Sequence, residues 1–94
     1  MTDNINITKI CDILKAISNP IRMQILLMLS IKDCYTYELE EAFHLDRTTI
    51  SRHLSSLKAE NIIVATKEGQ KTLYSIHITC VPKIIKCLSE YCEM

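Results

Sequence analysis

Tyr35 to Leu57 reads YTYELEEAFHLDRTTISRHLSSL, and this run decides the fold. It predicts two short amphipathic helices separated by a tight His44-Leu45-Asp46 turn, which is a helix-turn-helix. Asp46 stands where it can cap the second helix, and Ile50, Leu54 and Leu57 recur at helical spacing as its inward stripe. Arg47, Thr48, Ser51, Arg52 and Ser55 then point away from that stripe. An outward row of Arg, Ser and Thr at the start of such a helix suits a reader of the DNA major groove. Arg offers paired donors to guanine, and hydroxyls bond bases or phosphates. A merely solvated helix shows a similar face, so this helix alone leaves both readings open.

Ile62-Ile63-Val64-Ala65-Thr66 and Thr72-Leu73-Tyr74-Ser75-Ile76-His77 read as two strands around Lys67-Glu68-Gly69-Gln70-Lys71. The chain's one glycine falls at that tip, where a tight turn needs a positive φ. Lys67 and Lys71 place cations beside it, as a loop touching phosphates would. Lysines also discourage pairing at a strand edge, which is the competing reason for finding them there. Helix-turn-helix followed by a basic hairpin is a winged helix.

Composition bounds what surrounds this motif. Ninety-four residues suit one domain, spanning 1–94, with helix-turn-helix at about 36–60 and wing at about 62–77. A hydrophobic fraction of 48% with only five aromatic residues predicts an aliphatic core and more apolar surface than so small a monomer buries. Met1-Thr2-Asp3-Asn4 carries no positive leader region, and Ile25 to Leu29 is far too short to span a bilayer, so a cytoplasmic protein without a membrane partner is expected. Five cysteines without a regular framework suggest reduced thiols rather than disulfides. Formal charge is zero but uneven. Residues 44–72 hold five Lys/Arg against three Asp/Glu, whereas residues 1–43 hold four against six. The positive excess coincides with the proposed reading helix and wing, yet it is small, and two copies would double the phosphate contacts that supply affinity.

Ahead of the motif, Ile7, Ile10, Leu14 and Ile17 share a helical face over about 7–18. Asn19 then caps a second helix with Pro20 in its first position, and Ile21, Ile25, Met28 and Leu29 form its stripe. The last helix, about 79–92, aligns Cys80, Ile84, Cys87 and Tyr91, widened by Val81, Ile85, Leu88 and Cys92. So broad an apolar arc needs a cover, either the monomer's own core or a two-fold partner. A dimer seam of Ile10, Leu14, Ile84, Cys87, Leu88 and Tyr91 is expected, because paired half-sites are how small helix-turn-helix proteins gain affinity. The expected fold is therefore mainly α with a β-hairpin: four helices, a two-stranded wing and a C-terminal dimerisation helix.

The stretches LKAISNPIRMQIL at Leu14–Leu26 and TTISRHL at Thr48–Leu54, with Glu68-Gly69 and a following Tyr74, resemble the arsenic-repressor family of winged-helix regulators, also called ArsR/SmtB. The likeness covers about residues 12–78. It implies a homodimeric repressor that releases double-stranded DNA when a metal ion, metalloid or redox signal arrives. The family's sensing patterns do not carry over. Where one uses Cys-x-Cys just before the third helix, this chain has only Cys34, one position off. Where another uses Asp-x-His and His-x-x-His on the terminal helix, only His77 lies nearby.

Cys80, Cys87 and Cys92 are the candidates for a metal or redox site of the chain's own. A zinc ion bound about 2.3 Å from each sulfur needs thiolates within about 4 Å of one another. On one helix Cys80 and Cys87 lie about 10 Å apart along the axis, and Cys87 and Cys92 about 140° apart around it. No pair within that helix chelates one ion, so a site needs Cys11, Cys34, a second subunit or unwinding near Cys92. Small packed hydrophobes are the alternative reading of these thiols.

Expected contacts to bases or nearby phosphates are Arg47, Thr48, Thr49, Ser51 and Arg52, with His53 on the flank facing a phosphate. Lys67, Gln70 and Lys71 are expected at backbone or minor groove. No cofactor is certain; a soft metal or metalloid is the effector class considered. A winged-helix protein-interaction module is the rival function, since fold alone does not fix it. An enzyme is disfavoured: no nucleophile-base pair, acidic dyad or glycine-rich loop is visible.

Overall fold

The computed structural model describes residues 4–92, and the helices that open at Ile7, Pro20 and Arg47 begin where short polar side chains turn back on the backbone. The first helix, α1 (Ile7–Ile17), starts at Asn6, whose Oδ1 accepts the Lys9 N–H at 3.0 Å. Asn19 does the same for α2 (Pro20–Ile31), accepting from Ile21 at 2.9 Å and Arg22 at 3.1 Å, with Pro20 in the first turn as expected. A short strand, β1 (Cys34–Tyr35), leads into α3 (Thr36–Phe43), where the Tyr35 N–H donates to Glu38 Oε1 at 2.8 Å. His44 takes a left-handed φ of 54° to end α3, and Asp46 opens α4 (Arg47–Ala59) by accepting the Thr49 N–H at 3.0 Å.

The wing departs from the expected two strands. β2 (Ile63–Glu68) and β3 (Lys71–Ile76) pair antiparallel, and β1 adds to the other edge of β3, giving a three-stranded sheet in the order β1-β3-β2. Cys34 pairs with Tyr74 and Tyr35 with Leu73. Two residues are too few to show any alternation, so β1 exists only because β3 offers it an edge. The tip is also tighter than expected: Glu68 pairs with Lys71, Gly69 and Gln70 make a two-residue turn, and Gly69 has φ 64°. Lys67 and Lys71 are therefore strand residues.

The last helix is shorter at its C-terminal end than expected. α5 covers Cys80–Ser89, and the following N–H groups of Glu90, Tyr91 and Cys92 reach back only three residues, to Cys87, Leu88 and Ser89. These shorter i−3 bonds tighten the last turn. Tyr91 and Cys92 thus lie beyond the helix.

One core joins these elements. Ile25, Leu26 and Leu29 of α2, Leu39 of α3, Ile50, Leu54 and Leu57 of α4, and Ile62 and Ile63 at the wing root are all buried. α1 contributes Ala16 and Ile17 and α5 contributes Val81, so each terminal helix buries only one side. Ile7, Ile10 and Leu14 stay exposed on α1, as do Ile84 and Leu88 on α5 and Tyr91 after it. Ile17, placed by its spacing with Ile10 and Leu14, instead belongs to the core. Among the described residues, no helix is long and apolar enough to cross a membrane.

Candidate nucleic-acid interface

α4 turns its Ile50, Leu54 and Leu57 ridge into the core, and this fixes what its other sides show. Arg47, Thr48, Arg52 and Ser55 are exposed, while Thr49 and Ser51 are half-buried at the margin of the same face. Because Asp46 caps this helix, its start is held; hydrogen bonds from Thr49 keep the Asp46 carboxyl below its usual range, charged and capping. Arg47 does not swing free. Its Nε donates to Glu40 Oε2 on α3 at 3.0 Å, which leaves the terminal amino groups available.

His53 is placed otherwise than its spacing suggests. It is half-buried, and its Nδ1 accepts the Arg22 Nε–H at 3.0 Å, so that nitrogen faces α2. The same guanidinium donates to the Ala16 carbonyl at the end of α1 at 3.2 Å. Burial first, then the charges of Arg22 and Arg52, push the His53 imidazole below its ordinary pKa and keep it a neutral acceptor.

The wing is tied to the helix-turn-helix through β1. Tyr35 Oη donates to Glu68 Oε1 at 2.6 Å, and this bond raises the phenol's pKa. Tyr35 and Tyr37 stack at 5.8 Å between centroids with ring planes 10° apart, and Lys71 Nζ sits 5.4 and 5.6 Å from the two centroids. Lys67, Gln70 and Lys71 are all exposed. Spacing in the sequence does not single out Tyr35, Tyr37 or Arg22; the Tyr-Thr-Tyr run at the start of α3 is the available signal for the first two.

The cysteines divide differently. Cys34 is buried, its Sγ 3.5 Å from the Lys32 carbonyl, and burial pushes its thiol up. Cys11, Cys80, Cys87 and Cys92 are exposed rather than packed. Cys92 lies past the end of α5, so the helical angle separating it from Cys87 does not apply. Among the described residues, no group of three or more His, Cys, Asp and Glu side chains is placed to hold a metal ion.

A capped helix with an outward row of Arg and hydroxyl side chains, beside a hairpin bearing lysines, defines a winged-helix transcriptional regulator. Residues 19–64 match the family of bacterial regulatory proteins called the arsR family. Over 89 residues the chain is 33% identical to the transcriptional activator HlyU of Vibrio cholerae serotype O1, spanning 94% of this chain and 82% of that protein. The structure of HlyU from V. cholerae N16961 superposes with a TM-score of 0.83 at 32% identity, covering 96% of this chain and 99% of that one. The repressor SmtB of Mycobacterium tuberculosis is 31% identical over 65 residues, 69% of this chain and 48% of that longer protein. The chain belongs to the arsR family.

Proposed function

We propose that this regulator is a homodimer that reads duplex DNA with α4 and steadies itself on the backbone with its wing, acting as a repressor. The observation that carries this reading is the exposed row of Arg47, Thr48, Arg52 and Ser55 opposite the buried Ile50 ridge. Such a row places hydrogen-bond donors where base edges and phosphates lie when a helix enters the major groove. The uncovered apolar stripes on α1 and α5 support the dimer, since a two-fold partner would bury them and present two reading helices. Repression, the mode in the SmtB relative's name, needs only occupancy of the operator.

Arg52→Ala should weaken binding at least several-fold, measured by fluorescence anisotropy on duplex DNA at several salt concentrations. Wild-type affinity at every salt would remove Arg52 from the interface. A protein-docking module would instead show no retention on random duplex at low salt. Response to a soft metal, metalloid or oxidant belongs to Cys80, Cys87 and Cys92, whose thiols are exposed. Zinc, cadmium, arsenite or peroxide should lower the DNA affinity of the reduced wild type but not of a variant with all three changed to Ser. A wild type that ignores all four agents removes the effector.

A further inference from the structure

A recess of about 260 Å³ opens between the start of α4 and the turn end of the wing, lined by Thr36, Tyr37, Arg47, Ser51, Gln70 and Lys71 among others. We propose that it seats one backbone phosphodiester of duplex DNA per protomer, with Lys71 and Arg47 supplying charge and the Tyr37 hydroxyl a hydrogen bond. This rests on the DNA reading of α4 and specifies where the wing and helix grip the same strand.

Position is the first reason. The sugar-phosphate ridge separates the two grooves of the duplex. A protein whose helix enters the major groove and whose wing meets the neighbouring minor groove must therefore straddle that ridge. The recess lies between those two elements. Its volume also suffices, since a water molecule's share of liquid is about 30 Å³ and a tetrahedral phosphodiester needs only a few such shares.

Charge is the second. No carboxylate lines the recess. The acids bonded to its rim are both engaged: Glu68 accepts from Tyr35 Oη and Glu40 from Arg47 Nε. Glu40 offsets Arg47, and Glu68, bonded to a neutral phenol, keeps its own charge, but both carboxylates lie outside the lining, whereas Arg47 and Lys71 present their cations to the recess itself. Among the described residues Lys71 forms no ion pair; its ammonium is held instead over the stacked rings of Tyr35 and Tyr37. A cation already confined at its site loses less side-chain freedom when the anion arrives.

The third reason is the hydroxyl. Tyr35 Oη is taken by Glu68, whereas Tyr37 Oη has no hydrogen-bond partner among the described residues, and Tyr37 is 43% exposed. The Tyr35–Leu73 pairing ties Tyr35 to the strand that carries Lys71, and Tyr37 stacks on Tyr35 from the first turn of α3.

The test uses the full chain and a random-sequence duplex, with anisotropy read across a monovalent-salt series. Lys71→Gln should reduce the slope of log affinity against log salt by about one per bound protomer, and Lys71→Arg should restore it. Tyr37→Phe keeps the ring stack and should weaken binding about five-fold with the slope unchanged, because a neutral donor displaces no counterion. Unaltered far-UV circular dichroism shows that each variant is folded. If Lys71→Gln keeps the wild-type slope, or Tyr37→Phe the wild-type affinity, while Arg52→Ala still weakens binding, the seat is wrong and the reading helix stands. If the wild type does not bind the duplex, the DNA reading fails and the seat with it, whereas a silent Arg52→Ala removes Arg52 alone from the interface.

Discussion

Arg22 links three segments with one guanidinium: the end of α1 through the Ala16 carbonyl, its own α2, and the reading helix through His53 Nδ1. The bond to His53 exists only while the imidazole is neutral, and burial holds its pKa below the ordinary 6.5. The unfolded chain therefore takes up this proton first as pH falls. Stability contributed here is complete above the unfolded value near 6.5 and is lost as pH drops through the lower folded value. Urea unfolding midpoints should fall between about pH 7 and pH 5, and His53→Gln should flatten that part of the profile. The carboxyls of Glu38 and Asp46, both held low by hydrogen bonds, lose their contribution only at lower pH. An unchanged slope in His53→Gln would show that the imidazole is not the group titrating. From the sequence, His53 is a polar residue on a helix flank; its partner lies 31 residues away, and no local pattern announces it.

At the scale of elements, legibility follows the length of the signal. α4 repeats Ile50, Leu54 and Leu57 over about two turns and is capped by Asp46, so both its existence and its buried side are readable. β1 has two residues and no period, and the closing turn of α5 is set by backbone bonds that side-chain spacing does not encode. The wing turn lies between these cases, because Gly69 marked it while the strand ends were misjudged. Gly69 has φ 64° and nothing within 4 Å of an added Cβ, so any penalty there is purely one of backbone conformation. Gly69→Ala should lower unfolding free energy by about 1 kcal/mol, and Gly69→Asn by less, because Asn tolerates the left-handed region. Equal losses for the two in chemical denaturation would place the cost elsewhere.

Over the whole molecule, the decisive feature is the apolar surface a single protomer leaves in water. Leu14 is 47% exposed and Leu88 59%, on helices whose opposite sides already supply the core, and Tyr91, just past α5, is 81% exposed. Leu88→Glu should therefore leave helix content intact while shifting the protein from dimer to monomer in size-exclusion chromatography with light scattering. Loss of the second reading head should lower DNA affinity by more than tenfold, since paired heads raise effective concentration at the second half-site. A Leu88→Glu protein that stays dimeric with full affinity would move the seam off α5.

Local chemistry determined the helix order, the caps at Asn19 and Asp46, the inward ridge of α4 and the turn at Gly69. Each is written within a few consecutive residues, where backbone hydrogen bonds and amphipathic spacing act. Tertiary structure alone decided that β1 joins the wing, that His53 faces Arg22, and that Tyr35 and Tyr37 form a platform beneath Lys71. The Tyr35–Tyr37 stack is local, but the contacts that bring Lys71 to it, β1 to β3 and His53 to Arg22 join residues more than 30 positions apart, as in the 31 separating Arg22 from His53. They come into being only when burial of the shared core brings distant segments into register, so no window of sequence contains them.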